Sequence, residues 1–144
     1  KYTVDGTYDQ KIHDFMLSAS AGGQWTNAEV LPSNERFYLG GPKRGSAFFP
    51  GVTTTNKGVY VSARLYTPNM QASQELNFRP FAGYNMSAGA DTFGNDLKSQ
   101  GIEVGTRINF QGNMIGEVSY NKAIGDDFNT DYDDRLTFNI SYLF

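Results

Sequence analysis

Few residues of this 144-residue chain have the types and spacing that catalysis or metal binding requires. His13 is the only histidine and there is no cysteine, which argues against a catalytic dyad and against a zinc site. Glu103 and Glu117 could form a general acid–base pair. Each lies where polar and apolar residues alternate, however, which favours neighbouring positions in a ladder of charges. We therefore expect no enzymatic activity, no cofactor and no metal.

The segment 125–134 is the most acidic part of the chain. Its aspartates lack the regular spacing of known calcium-binding loops, so we interpret the segment as a solvated external loop. They are Asp126, Asp127, Asp131, Asp133 and Asp134. The net charge of −3 provides no broad basic surface, which argues against nucleic acid as a partner.

The most informative stretch is residues 32–51, PSNERFYLGGPKRGSAFFPG. It is too long and irregular for a hairpin turn and too rich in Phe and Tyr for a disordered linker. Gly40 and Gly41 suit a sharp turn with positive φ. Long ordered loops inside compact chains are usually functional. We predict that residues 26–57 form one ordered loop set into a β-barrel wall, and the hypothesis about function depends on this loop.

Segments of two-residue alternation lie on both sides of this loop and predict seven strands. They cover residues 2–9, 14–25, 58–66, 75–85, 102–110, 113–121 and 135–144. Connections are alternately short (10–13, 68–73, 111–113) and long (26–57, 86–99, 122–134). This is typical of an outer-membrane barrel, with short periplasmic turns and longer external loops. Because Pro80 removes a ladder donor, we expect a bulge there.

The two faces of these strands differ in charge. One is apolar, without Lys, Arg, Asp or Glu, and carries aromatics towards strand ends, whereas the other carries charges of both signs. A soluble lipocalin-like barrel also alternates, with its apolar face inward, so it stays an alternative. The absence of charge from the apolar face and the aromatics near its ends favour a membrane barrel.

The strand count suggests an incomplete barrel. Seven is odd, whereas bacterial single-chain barrels have even counts, and an open edge is costly in hydrocarbon. Either residues 36–40 add an eighth strand or residues 1–144 are the C-terminal portion of a larger barrel, which is the interpretation we favour. We thus expect an all-β fold, an antiparallel transmembrane barrel domain of which seven or eight strands are present.

Three motifs resemble one family. Residues 37–45, FYLGGPKRG, resemble the F-x-L-G-G-P…R-G-aromatic loop of two-partner-secretion outer-membrane transporters of the haemolysin secretion and activation type. Residues 79–85, RPFAGYN, are similar to that family's P-F-x-F-x-D-x-G strand. Residues 138–144, FNISYLF, are similar to its closing strand, where Tyr142 and the terminal Phe144 would serve as the assembly signal.

The resemblance implies a barrel of about 16 strands in the bacterial outer membrane, surrounded by lipid and inserted by the barrel-assembly machinery. It implies a pore that secretes an unfolded partner exoprotein. Its long loop would enter the lumen with Arg44 and Gly45 at the tip and Gly40 and Gly41 in the turn. There the loop would gate passage by meeting acidic residues of the wall.

The chain departs from the family at three positions that bear on this loop. Ser46 replaces the aromatic after Arg-Gly, Asn85 replaces the strand motif's Asp, and Arg64 stands where an acid is usual. A guanidinium in a narrow lumen needs a carboxylate or several acceptors. With those acids absent, we expect Glu103 or Glu117 to be the partner of Arg44.

Three other functions stay open from the sequence. One is an outer-membrane barrel-assembly insertase of the same superfamily. Another is a small self-contained adhesin or structural barrel in the outer membrane. The third is a soluble ligand-binding barrel.

Overall fold

The computed structural model describes residues 1–90, 94–128 and 134–143, and it is an antiparallel all-β structure. Its strands are β1 (Tyr2–Ile12), β2 (Phe15–Trp25), β3 (Phe37–Leu39), β4 (Thr53–Thr55), β5 (Lys57–Tyr66), β6 (Met70–Gln71), β7 (Leu76–Ala90), β8 (Asp96–Phe110), β9 (Met114–Asp126) and β10 (Asp134–Tyr142). A single 3₁₀ turn, Ser33–Glu35, precedes β3 in the described chain. The described residues contain no helix long and apolar enough to cross a membrane.

One sheet forms the wall, in the order β1-β2-β5-β7-β8-β9-β10, with β6 beside β7. Each wall strand pairs antiparallel with the wall strand next to it in sequence, as in a meander. This confirms the prediction of seven wall strands. Within the described chain β1 and β10 lie at opposite ends of the sheet and do not pair, so the sheet is part of a barrel that is not closed.

A small second sheet lies in the connection between β2 and β5. Its two strands pair as Phe37↔Thr55, Tyr38↔Thr54 and Leu39↔Thr53. The stretch proposed as a possible eighth strand is therefore β3, but it pairs with β4 and does not join the wall. We call residues 26–56 the inserted segment, because they pack against one face of the wall.

The two faces of the wall have opposite character. The covered face is the one under the inserted segment, and its buried side chains are largely polar, such as Asn85, Ser87 and Asn121. The open face carries apolar side chains that stay exposed, such as Leu65, Val104 and Ile140. Strand alternation produces both faces from one chain, since successive residues point to opposite sides.

The strands extend further than the sequence analysis predicted at the end from which the inserted segment leaves. β7 continues to Ala90 and β8 starts at Asp96, so most of the predicted loop 86–99 is strand. β9 likewise runs into the predicted loop 122–134. The Gly, Ser and Ala of these stretches keep their ladder hydrogen bonds although their composition is typical of loops. At the other end, the predicted turn 10–13 shrinks to two residues between β1 and β2.

The bulge predicted at Pro80 is wrong. Pro80 lies in regular register with Thr106 of β8. On its other side β5 has ended at Tyr66, and the Pro80 carbonyl accepts a bond from the Thr67 amide at 2.9 Å. In an antiparallel strand the N–H and C=O of one residue point to the same side. The N–H that Pro80 lacks would therefore also point towards Thr67, into the gap between β5 and β6, where no strand needs it as a donor. The register shift instead lies at Gln100 and Gly101, opposite β9.

Candidate functional site

The inserted segment folds back on itself through a chain of tight turns. The Gly40 amide donates to the Arg44 carbonyl at 2.8 Å, and the Phe48 amide donates to the Gly45 carbonyl at 3.0 Å. Gly40 and Gly41 have φ values of 90° and 89°, which confirms the predicted positive-φ turn. A Cβ on Gly40 would collide with the Phe49 carbonyl oxygen, so side-chain-bearing residues are excluded there sterically as well as conformationally.

The side chain of Arg44 lies between two aromatic rings and near one carboxylate. Its guanidinium carbon is 4.4 Å from the ring centroid of Phe37 and 4.9 Å from that of Tyr60. Its Nη2 is 3.8 Å from Asp5 Oδ1, which also accepts a 2.7 Å hydrogen bond from the Tyr60 hydroxyl. Phe37, Tyr60 and Asp5 thus form a cage for this cation, and cation–π attraction at such distances contributes about 0.5–2 kcal/mol.

Two of the sequence departures meet in a direct contact. The Ser46 amide donates to Asn85 Oδ1 at 3.0 Å, and Asn85 Nδ2 donates to Ser46 Oγ at 2.6 Å. Both side chains are buried. Ser46 and Asn85, which both depart from the motifs that the chain resembles, therefore form a neutral, reciprocal pair of hydrogen bonds. We call this contact the Ser46–Asn85 clamp.

Further contacts extend the attachment across the wall. The Ser87 hydroxyl of β7 donates to the Arg44 carbonyl at 2.7 Å. Arg135 Nη1 of β10 donates to the Phe48 carbonyl at 3.1 Å, and its guanidinium lies 4.6 Å from the Phe49 ring centroid. The inserted segment therefore contacts the wall from β1, through Asp5, to β10, through Arg135.

The predicted pairing of Arg44 with Glu103 or Glu117 is wrong, because both carboxylates bind Arg64. Arg64 Nε and Nη2 donate to the two oxygens of Glu103 at 2.9 and 2.8 Å, and its Nη1 donates to Glu117 at 3.1 Å. Glu117 also pairs with Arg107 at 3.2 Å. The acid that Arg44 does approach, Asp5, is on the first strand of the wall.

Glycine makes the Arg64 contact geometrically possible. Arg64, Gly83 and Glu103 form one row across β5, β7 and β8. A Cβ at Gly83 would be 3.0 Å from Arg64 Cγ and 3.4 Å from Glu103 Oε2. Because position 83 carries no side chain, Arg64 can reach over β7 to Glu103. A glycine inside a strand often marks such a close approach, and this was the sequence signal that could have identified the pair.

These groups border a polar cavity of about 260 Å³ between the inserted segment and the wall. Ser46 closes one side, and Arg64, Glu103, Glu117 and Asn121 line the other. Arg64, Arg107 and Arg135 oppose the two glutamates around the cavity, so its wall carries mixed charge. Such a surface offers both hydrogen-bond donors and hydrogen-bond acceptors, and it has no large electrostatic field of one sign.

The remaining predicted sites are Gly45 at the loop tip and residues near the end of the chain. Gly45 has a φ of 124°, and a Cβ there would be 2.8 Å from Ser99 Oγ, so the loop tip lies directly against β8. Tyr142 ends β10, and its hydroxyl accepts a 3.0 Å bond from Asn113. Phe144 lies outside the described residues, as do Asp131 and Asp133 of the acidic segment.

Comparison with known proteins assigns the chain to no group. No protein-family model matches it, and a search of curated proteins gives no match.

Proposed function

We propose that this chain is the C-terminal portion of an outer-membrane β-barrel that secretes an unfolded partner exoprotein, with the inserted segment as its gate. The observation that carries this proposal is the attachment of that segment across the covered face, from Asp5 on β1 to Arg135 on β10. A segment held over the polar interior of a barrel blocks the route through it. Its release would clear that route.

The distribution of apolar side chains supports a membrane location. The side chains that a water-soluble protein buries are exposed on the open face, for instance Phe138 at 67% and Val104 at 54%. A soluble ligand-binding barrel would place its apolar residues inside. An exposed apolar band around a polar interior is the arrangement of outer-membrane barrels.

The proposed mechanism involves passage and gating without a chemical reaction. The paired charges of Arg64, Glu103 and Glu117 compensate one another, so an extended polypeptide meets no strong field of one sign. The gate is held by hydrogen bonds and by the Arg44 cage. The two hydrogen bonds of the Ser46–Asn85 clamp and the Arg44 cage together contribute about 3 kcal/mol, on the basis of about 1 kcal/mol for each hydrogen bond and a similar value for the cage. Incoming exoprotein can replace contacts of that size.

Conductance across a planar bilayer tests the gate. We expect the full-length protein without residues 44–51 to conduct more than the wild type, and at least as much as a variant that loses only the anchors. The double variant Arg44→Ala/Asn85→Ala should raise the open fraction by about two powers of ten if the anchors contribute about 3 kcal/mol. Lys43→Ala is the matched control. Lys43 is exposed next to Arg44, and its replacement also removes one positive charge from the same loop. Equal conductance in all four proteins would reject the gating role.

A further inference from the structure

A groove lies on the open face of β5, β7 and β8, at the end of the wall from which the inserted segment leaves. Its volume is about 330 Å³. Val59, Ala88 and Ala90 form an apolar floor, and Trp25 stands at one side. The indole lies close over Gly23, where a Cβ would be 2.8 Å from Trp25 Cη2. The groove exists because its central strand, β7, contributes only the small methyl groups of Ala88 and Ala90.

Two lysines flank this floor from opposite sides. Lys57 is the first residue of β5 and pairs with Ala90, while Lys98 of β8 pairs with Ala88. Lys57 and Lys98 are therefore two strand spacings and two residues apart, roughly 12 Å between Cα atoms, and the residue directly opposite Lys57 across β7 is Asp96. Asp96 also lines the groove, so the three charged side chains sum to +1. Both lysines are exposed.

This arrangement was absent from the sequence analysis because it depends on where the strands end. The predicted strands gave an apolar face without charged residues. The longer strands of the structure add Lys57, Asp96 and Lys98 to that face, at the end where the inserted segment leaves. Trp25 also lies at this end of the apolar face. Tryptophan is enriched at the boundary between membrane and water.

We propose that this groove binds an anionic membrane lipid through its phosphate headgroup. The proposal rests on the proposed membrane location of the barrel. Lys57 and Lys98 hold the phosphate from two sides, the Val59–Ala88–Ala90 floor packs against the first methylenes of the acyl chains, and Trp25 covers the glycerol region. The positive charge of the groove and its half-apolar lining favour such a lipid over a free anion, because a free anion has no acyl chains to contact the apolar floor.

Trp25 provides the measurement, since it is the only tryptophan of these 144 residues. The full-length protein in neutral detergent micelles is titrated with short-chain phosphatidylglycerol and, separately, with phosphatidylcholine of the same acyl length. Fluorescence of the Trp25→Phe variant is subtracted to isolate the Trp25 signal. We expect phosphatidylglycerol to bind at least tenfold more tightly than phosphatidylcholine. Equal affinity for the two lipids would overturn the proposal.

Variants identify the residues responsible. Lys57→Ala/Lys98→Ala should weaken phosphatidylglycerol binding about 25-fold, at about fivefold for each lysine near an anionic headgroup. Lys11→Ala/Lys43→Ala removes the same charge from exposed positions outside the groove and should leave the affinity unchanged. If both pairs weaken binding equally, general charge is responsible and the assignment of the groove is wrong.

Two further measurements distinguish a failure of the lipid site from a failure of the proposed membrane function. Inorganic phosphate at the same concentration as the lipid should not displace it, and displacement would identify a free-anion site. Should the protein remain monomeric in buffer without detergent, the proposed membrane function fails along with the inference. Should it conduct in bilayers yet not distinguish the two lipids, the inference alone fails.

Discussion

Replacing Arg64 with methionine is expected to destabilise the folded protein by about 3–5 kcal/mol. The Glu103 side chain is only 4% exposed, and both of its oxygens accept hydrogen bonds from Arg64. Methionine fills similar volume but supplies no donor, so a buried carboxylate is left without its cation. The free energy of unfolding, measured with urea in detergent micelles, reports the loss.

Two companion variants establish that the cause is the uncompensated charge. Arg64→Met/Glu103→Leu removes both charges and should recover most of the lost stability, because Glu117 keeps its contact with Arg107. Arg107→Met should cost less than about 1 kcal/mol, since its side chain is 43% exposed and the pair is accessible to water. A loss from Arg107→Met as large as that from Arg64→Met would show that the network is not organised around Glu103.

A charge placed in the middle of the open face should nearly abolish insertion into phospholipid vesicles. Val104 is the central open-face residue of β8. An arginine there costs about 2–4 kcal/mol if it faces the bilayer midplane. On an ordinary water-exposed surface the same change would stay within about 0.5 kcal/mol. The folded fraction in vesicles, followed by gel mobility without heating, therefore separates the two environments.

The matched control uses the same strand and the same face at a different depth. Gln100 lies on the open face of β8 near Lys98, so Gln100→Arg should cost about 0–1 kcal/mol. The difference between positions 104 and 100 removes any general effect of adding an arginine. If both variants insert as well as wild type, the open face does not contact hydrocarbon.

The wall could be predicted from sequence because its signal is local. Alternation over about ten residues identifies a strand and both its faces, so β1, β2, β5, β7, β8, β9 and β10 were all found. Strand ends were less accurate, since Gly and Ser after Asn85 are common in loops yet continue the ladder with β8 here. The misplaced bulge at Pro80 has a similar origin, because the end of β5 at Tyr66 is not visible from residues 75–85.

The contacts of the inserted segment are not local, and most were missed. Ser46 and Asn85 are separated by 39 positions, and each was noted only as a departure from a motif. That they compensate each other requires the fold. Arg44 was given the wrong partners because charge alone suggested Glu103 and Glu117. The register across β7 assigns both to Arg64 and leaves Asp5 for Arg44.

The most direct test of the whole account is the environment of each face in a lipid bilayer. Spin labels at Leu65, Ile108 and Ile140 on the open face, and at Arg107 and Asn139 on the covered face, are compared by their collision rates with oxygen and with a water-soluble nickel chelate. We predict that oxygen dominates at the first three sites, because it concentrates in hydrocarbon, and that the chelate dominates at the last two. Chelate-dominated collisions at Leu65 and Ile140, with Arg107 and Asn139 dry, would contradict the account.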